Sequence, residues 1–310
     1  MKQSKNHSGT AAAVAVIIAA VAAVVLFTLF SHNSDGEGTA YVRFFDVGQG
    51  DAAIFVWDGG CILFDAGTDD SEDKLTAYLH SMGIKSIDAM VLSHPHDDHI
   101  GGADAVMAEF DVGVVIMPGT TGNADVEAEL YAAIEDEGCM LYEAKAGDVY
   151  EYGDVTITVL SPLSVTGNAN DDSAVVVLTY GETKFMFTGD AGGGSELSLV
   201  DAYTTDILSC DVLKVAHHGS STSTCDEFLT AVSPDIAVIS CGVDNDYGHP
   251  HADVIERLRS HSIEILRTDT GGAVTIYTDG KSVYMKSPPR IAAGIMIPLF
   301  QSGRQSIQNR

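Results

Sequence analysis

Ser93-His94-Pro95-His96-Asp97-Asp98-His99 reads H-x-H-x-D-H, three imidazoles and a carboxylate within six positions. An apolar, β-rich run, Asp88–Leu92, precedes it. Gly101-Gly102 and a helical pattern, Ala103–Phe110, follow. The ligand-type side chains therefore fall on a loop between a strand end and a helix start. Imidazole nitrogen and carboxylate oxygen suit Zn²⁺ and Mn²⁺. On extended backbone, residues two apart point the same way, so His94 and His96 are set to grip one ion. Asp98 and His99 come after the chain has turned and are set to grip a second. Of eleven histidines, three lie here, two at His217-His218 and two at His249 and His251, each group after a predicted strand.

Other carboxylates and imidazoles sit in similar places. Asp190 follows the strand pattern Lys184–Phe187 through Thr188-Gly189, where a glycine lets backbone approach a site closely. Asp65 ends Cys61–Phe64 and is a candidate acceptor for the second N–H of a metal-bound imidazole. His217 and His218 end the run Val212–Val215. Adjacent residues on extended chain point opposite ways, so one is expected to ligate and the other to donate a proton. His249, beyond Ile236–Ser240, is a last ligand or a substrate-side acid, and His251 a residue behind the ligands. No histidine lies between His99 and His217.

Before the domain, Lys2 and Lys5 precede an apolar run from Gly9 to Phe30. At ~1.5 Å per residue, about 20 residues cross a hydrocarbon core. The run reads as an uncleaved anchor. Its lysines place residues 1–8 in the cytoplasm by the positive-inside rule, leaving the rest of the chain extracytoplasmic. Residues 31–39 are a polar linker, 40–286 a globular domain, and 287–310 a tail whose apolar stretch is too short to span. The net charge of −28, with Lys plus Arg only 16, is opposite to the basic face of most nucleic-acid binders. Bound metal would invert that charge locally. Cys61, Cys139, Cys210, Cys225 and Cys241 show no C-x-x-C spacing and no disulfide framework.

Strands at 40–46, 52–57 and 61–64 open the domain, the first two joined by the turn Val47-Gly-Gln-Gly-Asp51. Helices at 71–82, 103–110 and 124–137 interleave with strands ending at Leu92 and Met117. A second β-rich half starts at Met140 and is followed by helices at 195–207, 224–232 and 252–261 and a closing hairpin turning at Asp279-Gly280. Two mixed sheets, each with helices on its outer face, predict an α/β four-layer αββα sandwich.

The motif H-x-H-x-D-H after a hydrophobic strand resembles the metal-binding motif of the metallo-β-lactamase superfamily. Phe44–Asp51, Leu63–Gly67, Phe187–Asp190, Lys214–Ser220 and Tyr247–Pro250 resemble, in order, the extracytoplasmic domain of ComEC-type DNA-uptake proteins. The resemblance implies the αββα fold and one or two Zn or Mn ions on His94, His96, Asp98, His99, Asp190, His217 and His249, with Asp190 bridging. Asp65, Asn170 and His251 would lie behind them; many members of the family carry a further histidine between the first cluster and the bridging Asp, and here Asn170, Asp172 or water would fill its place. It further implies hydrolysis of a phosphodiester, DNA in the relatives, by metal-activated hydroxide, with His218, Asp98 and Asp190 as the catalytic set. Two alternatives stay open: an envelope phosphodiester or small ester as substrate, and a non-catalytic partner of a competence or envelope complex.

Overall fold

A computed structural model describes residues 40–285. The stub 1–8, anchor 9–30, linker 31–39 and tail 287–310 lie outside the described residues. Among the described residues no helix is long and apolar enough to cross a membrane.

The strands form two large sheets. The first runs in the order Val283–Tyr284, Val274–Thr278, Ala40–Phe44, Ala52–Trp57, Gly60–Ala66, Ala89–Val91, Val114–Met117, Met140–Glu143. The second runs Glu264–Arg267, Ile236–Ile239, Val212–Lys214, Thr183–Phe187, Val176–Tyr180, Val155–Val159, Val149–Tyr152. Alternating residues send Phe44, Phe55 and Phe64 from one sheet and Val176, Phe185 and Phe187 from the other into a shared core. Phe64 and Phe187 stack there, centroids 3.7 Å apart. The outer face of the first sheet is covered by helices Glu72–Ser81, Ala103–Glu109 and Ala124–Glu137 through Leu75, Leu79, Val106, Leu130 and Ile134. Helices Gly193–Ala202, Asp226–Val232 and Ala252–Ser260 cover the second through Leu199, Phe228, Leu229, Val254 and Leu258. The layers are helix, sheet, sheet, helix, as the alternation of elements predicts.

Three details depart from the sequence reading. Met140–Glu143 pairs parallel with Val114–Met117 and belongs to the first sheet, not to the second half. The closing hairpin returns across the molecule, and Val274–Thr278 pairs antiparallel with Ala40–Phe44. Its Ile276 fills the inter-sheet core. The helix expected through Ile207 stops at Ala202. Tyr203 turns to extended backbone, its hydroxyl donates to Leu160 O at 3.0 Å, and a separate turn, Thr205–Leu208, follows.

Each sheet contains a parallel run. Gly60–Ala66, Ala89–Val91 and Val114–Met117 are parallel in the first, and Thr183–Phe187, Val212–Lys214 and Ile236–Ile239 in the second. Open α/β sheets gather their functional side chains beyond the carboxyl ends of such strands. Here the two sets of strand ends open onto one site.

Candidate metal centre

Loops at the strand ends of both sheets build the site, and backbone hydrogen bonds lace them together. Ala174 N donates to Ser93 O at 2.8 Å, Asp51 N to Asp98 O at 2.9 Å, and His217 N to Gly189 O at 3.0 Å. A Cβ on Gly189 would stand 2.6 Å from Ser93 Cβ, and one on Gly50 2.7 Å from Asp98 O. Glycine at those two positions lets the loops close on one another. Asp65, His217 and His218 all have positive φ, at 53°, 52° and 54°. Such backbone costs of order 1–3 kcal/mol per residue and persists where surrounding structure holds it.

The positive φ at His217 and His218 corrects the expectation that they alternate. The strand ends at Lys214, and the two histidines occupy a tight turn, Ala216–Gly219. Both therefore reach the same carboxylate: His217 Nε2 lies 3.5 Å from Asp190 Oδ2 and His218 Nε2 3.7 Å from Asp190 Oδ1. From the metal loop, His94 Nε2 lies 3.9 Å from Oδ2 and His99 Nε2 3.2 Å from Oδ1. His96 Nδ1 is 3.0 Å from His94 Nε2. Asp98 Oδ2 is 3.1 Å from His218 Nε2, and Asp98 Oδ1 3.9 Å from His99 Nε2. Asp98, His99, Asp190 and His218 each offer a ligand atom within 4.8 Å of the others.

Behind these atoms the imidazoles are held by acceptors. His99 Nδ1 meets Asp65 Oδ2 at 2.9 Å, and Ser93 donates to Asp65 from both its amide and its hydroxyl. His218 Nδ1 lies 3.0 Å from Ser240 O and 3.3 Å from Asp51 Oδ1. Asp51 and its partner Lys214, both buried, adjoin the site and are absent from the sequence-based set of site residues. By sequence Asp51 reads as the end of a turn and Lys214 as a position within the strand Val212–Val215. The overlooked signal was a lone lysine inside the apolar run Val212–Ala216.

The electrostatics follow from burial and charge. Burial alone would lower the basicity of His218, but Asp190 and Asp51 outweigh it and push its pKa up to about 10. His99 rises well above its ordinary value against the same burial cost, driven by Asp190, Asp98 and Asp65. Burial would raise Asp190, yet His99 and His218 hold it well below the usual carboxylate range. Burial likewise acts against ionised Asp51, and Lys214 and His218 hold it down. Burial, reinforced by His99, drives His94 well down.

The remaining expected residues sit at the rim or beyond it. Asn170 lines an open cleft of ≈ 220 Å³ together with Gln49, His96, Tyr247 and His249, and its Oδ1 is buried without a hydrogen bond. Asp172 turns away: its carboxylate accepts from Thr120, Thr166 and Gly167. His249 stacks between Tyr247 and His218. Burial, then His218 and His251, push its pKa down to about 4. His251 accepts from Ser221 N at 2.9 Å and reaches the site only through the ring of His249.

The donor set fits a borderline divalent metal. His99 Nε2 and Asp190 Oδ1 are buried and lack hydrogen bonds, an expensive arrangement unless a further group engages them. The nitrogens and oxygens around them are those that transition ions take.

Known proteins place this arrangement in a family. The chain is 32% identical over 298 residues to ComE operon protein 3 of Bacillus subtilis, covering 88% of this chain and 38% of that protein. It is 33% identical over 254 residues to competence protein ComA of Neisseria gonorrhoeae, covering 80% and 34%. The chain thus spans little more than a third of the length of these curated relatives. Among solved structures, the metallo-beta-lactamase fold protein YhfI of Bacillus subtilis superposes with a TM-score of 0.51 at 14% identity, covering 76% of this chain and 99% of that one. The model of the metallo-beta-lactamase superfamily matches residues 45–243, and the chain belongs to that superfamily.

Proposed function

We propose that the protein is a metal-dependent phosphodiesterase, held at a membrane by residues 9–30 with residues 40–286 as its extracytoplasmic domain. The observation that carries this reading is the division of the Asp190 carboxylate. Its Oδ2 faces His94 and His217, and its Oδ1 faces His99 and His218. A bridging carboxylate between two imidazole groups suits a two-ion centre. His94, His96 and His217 would hold one ion of Zn or Mn, with His217 occupying the gap left by the missing intermediate histidine. Asp98, His99 and His218 would hold the other.

Bound ions would supply Lewis acidity toward a phosphoryl oxygen and lower the pKa of water to about 7. The chain's own residues supply orientation. Asp65 fixes the His99 ring and Ser240 the His218 ring, each through Nδ1. The sequence reading makes His218 the proton donor, with ligation as the alternative, and its burial with both nitrogens engaged favours the ligand instead. His249, half-buried at the cleft mouth, is then the imidazole that a substrate can reach. Gln49, 3.5 Å from His249 Nδ1, holds the ring in place.

Two curated relatives are named for recombination and for competence, which favours DNA as the phosphodiester. A second reading keeps the chemistry with a small envelope phosphodiester or ester. It is favoured by the cleft itself, whose lining includes no lysine or arginine. Purified protein loaded with Mn²⁺ or Zn²⁺ should hydrolyse bis(4-nitrophenyl) phosphate, and comparison with single- and double-stranded DNA separates the two readings. Loaded protein inert toward all three rejects the phosphodiesterase.

A further inference from the structure

His99 and His218 are treated alike by the fold: each points Nε2 toward Asp190 Oδ1, and each has a buried carboxylate behind Nδ1. For His99 that carboxylate, Asp65, is anchored by Ser93 N and Oγ at 2.7 and 2.9 Å. For His218 it is Asp51, and among the described residues no amide or hydroxyl hydrogen-bonds to its carboxylate. Both of its oxygens are buried without a hydrogen bond of good geometry. What meets Asp51 instead is the ammonium of Lys214, a side chain only 3% exposed. Asp51, Asp65 and His99 also offer ligand atoms within 4.8 Å of one another. A cation is due at this spot, and Lys214 brings it on a covalent tether.

Several observations say that the pair is more than a by-product of packing. Asp51 is held by backbone on both sides, its N–H donating to Asp98 O and its C=O accepting from Gly67 N. Lys214 C=O accepts from Thr188 Oγ1 at 2.7 Å, two residues before Asp190. The pair therefore joins the metal loop to the Asp190 loop. A cavity of ≈ 20 Å³ lies beside it, polar at Asp51, Asp65, Ser93, Lys214 and Ser240, with room for one water. Burying two charges is costly and rarely stabilises a fold by itself.

We propose that Asp51 and Lys214 are positioning residues for His218. Lys214 acts as an internal cation that fixes the Asp51 carboxylate, and Asp51 with Ser240 O holds His218 Nδ1–H so that Nε2 faces Asp98 and Asp190. This rests on the reading of the Asp98, His99, Asp190 and His218 cluster as a metal site. The chain thus has two differently built supports for one ion, a serine-anchored carboxylate behind His99 and a lysine-anchored one behind His218.

The test compares two uncharged replacements of similar size at residue 51 in a Lys214→Met background, measured by metal-binding titration and thermal unfolding of the full chain. Asp51→Asn/Lys214→Met keeps a side-chain acceptor for His218 Nδ1–H beside Ser240 O, and Asp51→Leu/Lys214→Met leaves Ser240 O alone. The Leu variant should bind one of two ions about 10–100-fold more weakly. The Asn variant should recover most of that affinity, and the two should unfold at similar temperatures when metal-free. If the Leu variant does not fold, Asp51→Ala in the same background reads the same contrast. Equal affinities in the Asn and Leu variants reduce the pair to a structural role and overturn the proposal. Wild-type protein that binds no ion overturns the metal reading as well.

Discussion

His99 Nε2 and Asp190 Oδ1 face each other at 3.2 Å in the buried interior, and neither makes a hydrogen bond. His99 comes from the H-x-H-x-D-H loop of the first sheet and Asp190 from a strand end of the second. Their approach joins the two halves of the site across the sandwich.

Asp190→Asn should therefore weaken both halves. The amide keeps the shape but loses the charge that faces His94, His99, His217 and His218. Bound metal should fall below wild-type stoichiometry and turnover should drop by more than about 100-fold, beyond the loss expected for a residue behind the ligands. Elemental analysis and phosphodiester hydrolysis check both. Full metal content in the variant would remove Asp190 from the bridge.

Metal binding should release protons. Without metal, His218 is pushed up to about 10 and His99 is raised as well, so both are cationic at neutral pH, and ligation needs their neutral forms. Affinity should rise with pH between about 6 and 8. The metal-free protein should behave oppositely. A folded-state pKa above the unfolded value of ~6.5 contributes stability in full below that value, and the contribution is lost as pH climbs through about 10. Melting temperatures of metal-free protein from pH 7 to 10 measure this. A rise over that interval, with composition unchanged, contradicts the charge assignment of His218.

The H-x-H-x-D-H loop, Asp65 and Asp190 were legible in the sequence because each follows an apolar strand. Asp51 and Lys214 were not, because their meaning lies in a partner 163 residues away. His217 and His218 were misread for a local reason. Alternation holds only on extended backbone, and both residues leave it at positive φ. The four layers followed from the order of elements. The homes of Met140–Glu143 and the last hairpin did not, since edge pairing is decided by distant strands.

Asp172→Ala should loosen the loop that carries Asn170. Burial would raise this carboxyl, but donors from Thr166, Gly167 and Thr120 hold it below its ordinary value. The substitution leaves the buried Thr120 hydroxyl unpaired, at about 1–3 kcal/mol where water cannot replace the acceptor, and removes the acceptor shared by exposed Thr166 and Gly167. Because the folded pKa is depressed, the wild-type contribution is present above the unfolded value of ~3.9 and fades as pH falls below it. Denaturant unfolding at pH 7 and pH 3 should show a variant deficit that shrinks at the lower pH. A deficit equal at both would assign the loss to packing.

All five cysteines are free, with Cys61, Cys210 and Cys241 buried. Burial pushes the Cys61 thiol up to about 12 and that of Cys225 up to about 11. Thiol titration should find slow, incomplete reaction in the native protein and five thiols after denaturation without reductant. Fewer than five would reveal a disulfide that the fold does not contain.

Anomalous diffraction from crystals of Mn²⁺- or Zn²⁺-loaded protein tests the central claim most directly. Two peaks are expected, one on each side of the Asp190 carboxylate. The first should lie among His94, His96 and His217, and the second among Asp98, His99 and His218. A single peak at Asp51 and Asp65, or none within reach of Asp190, would contradict the account.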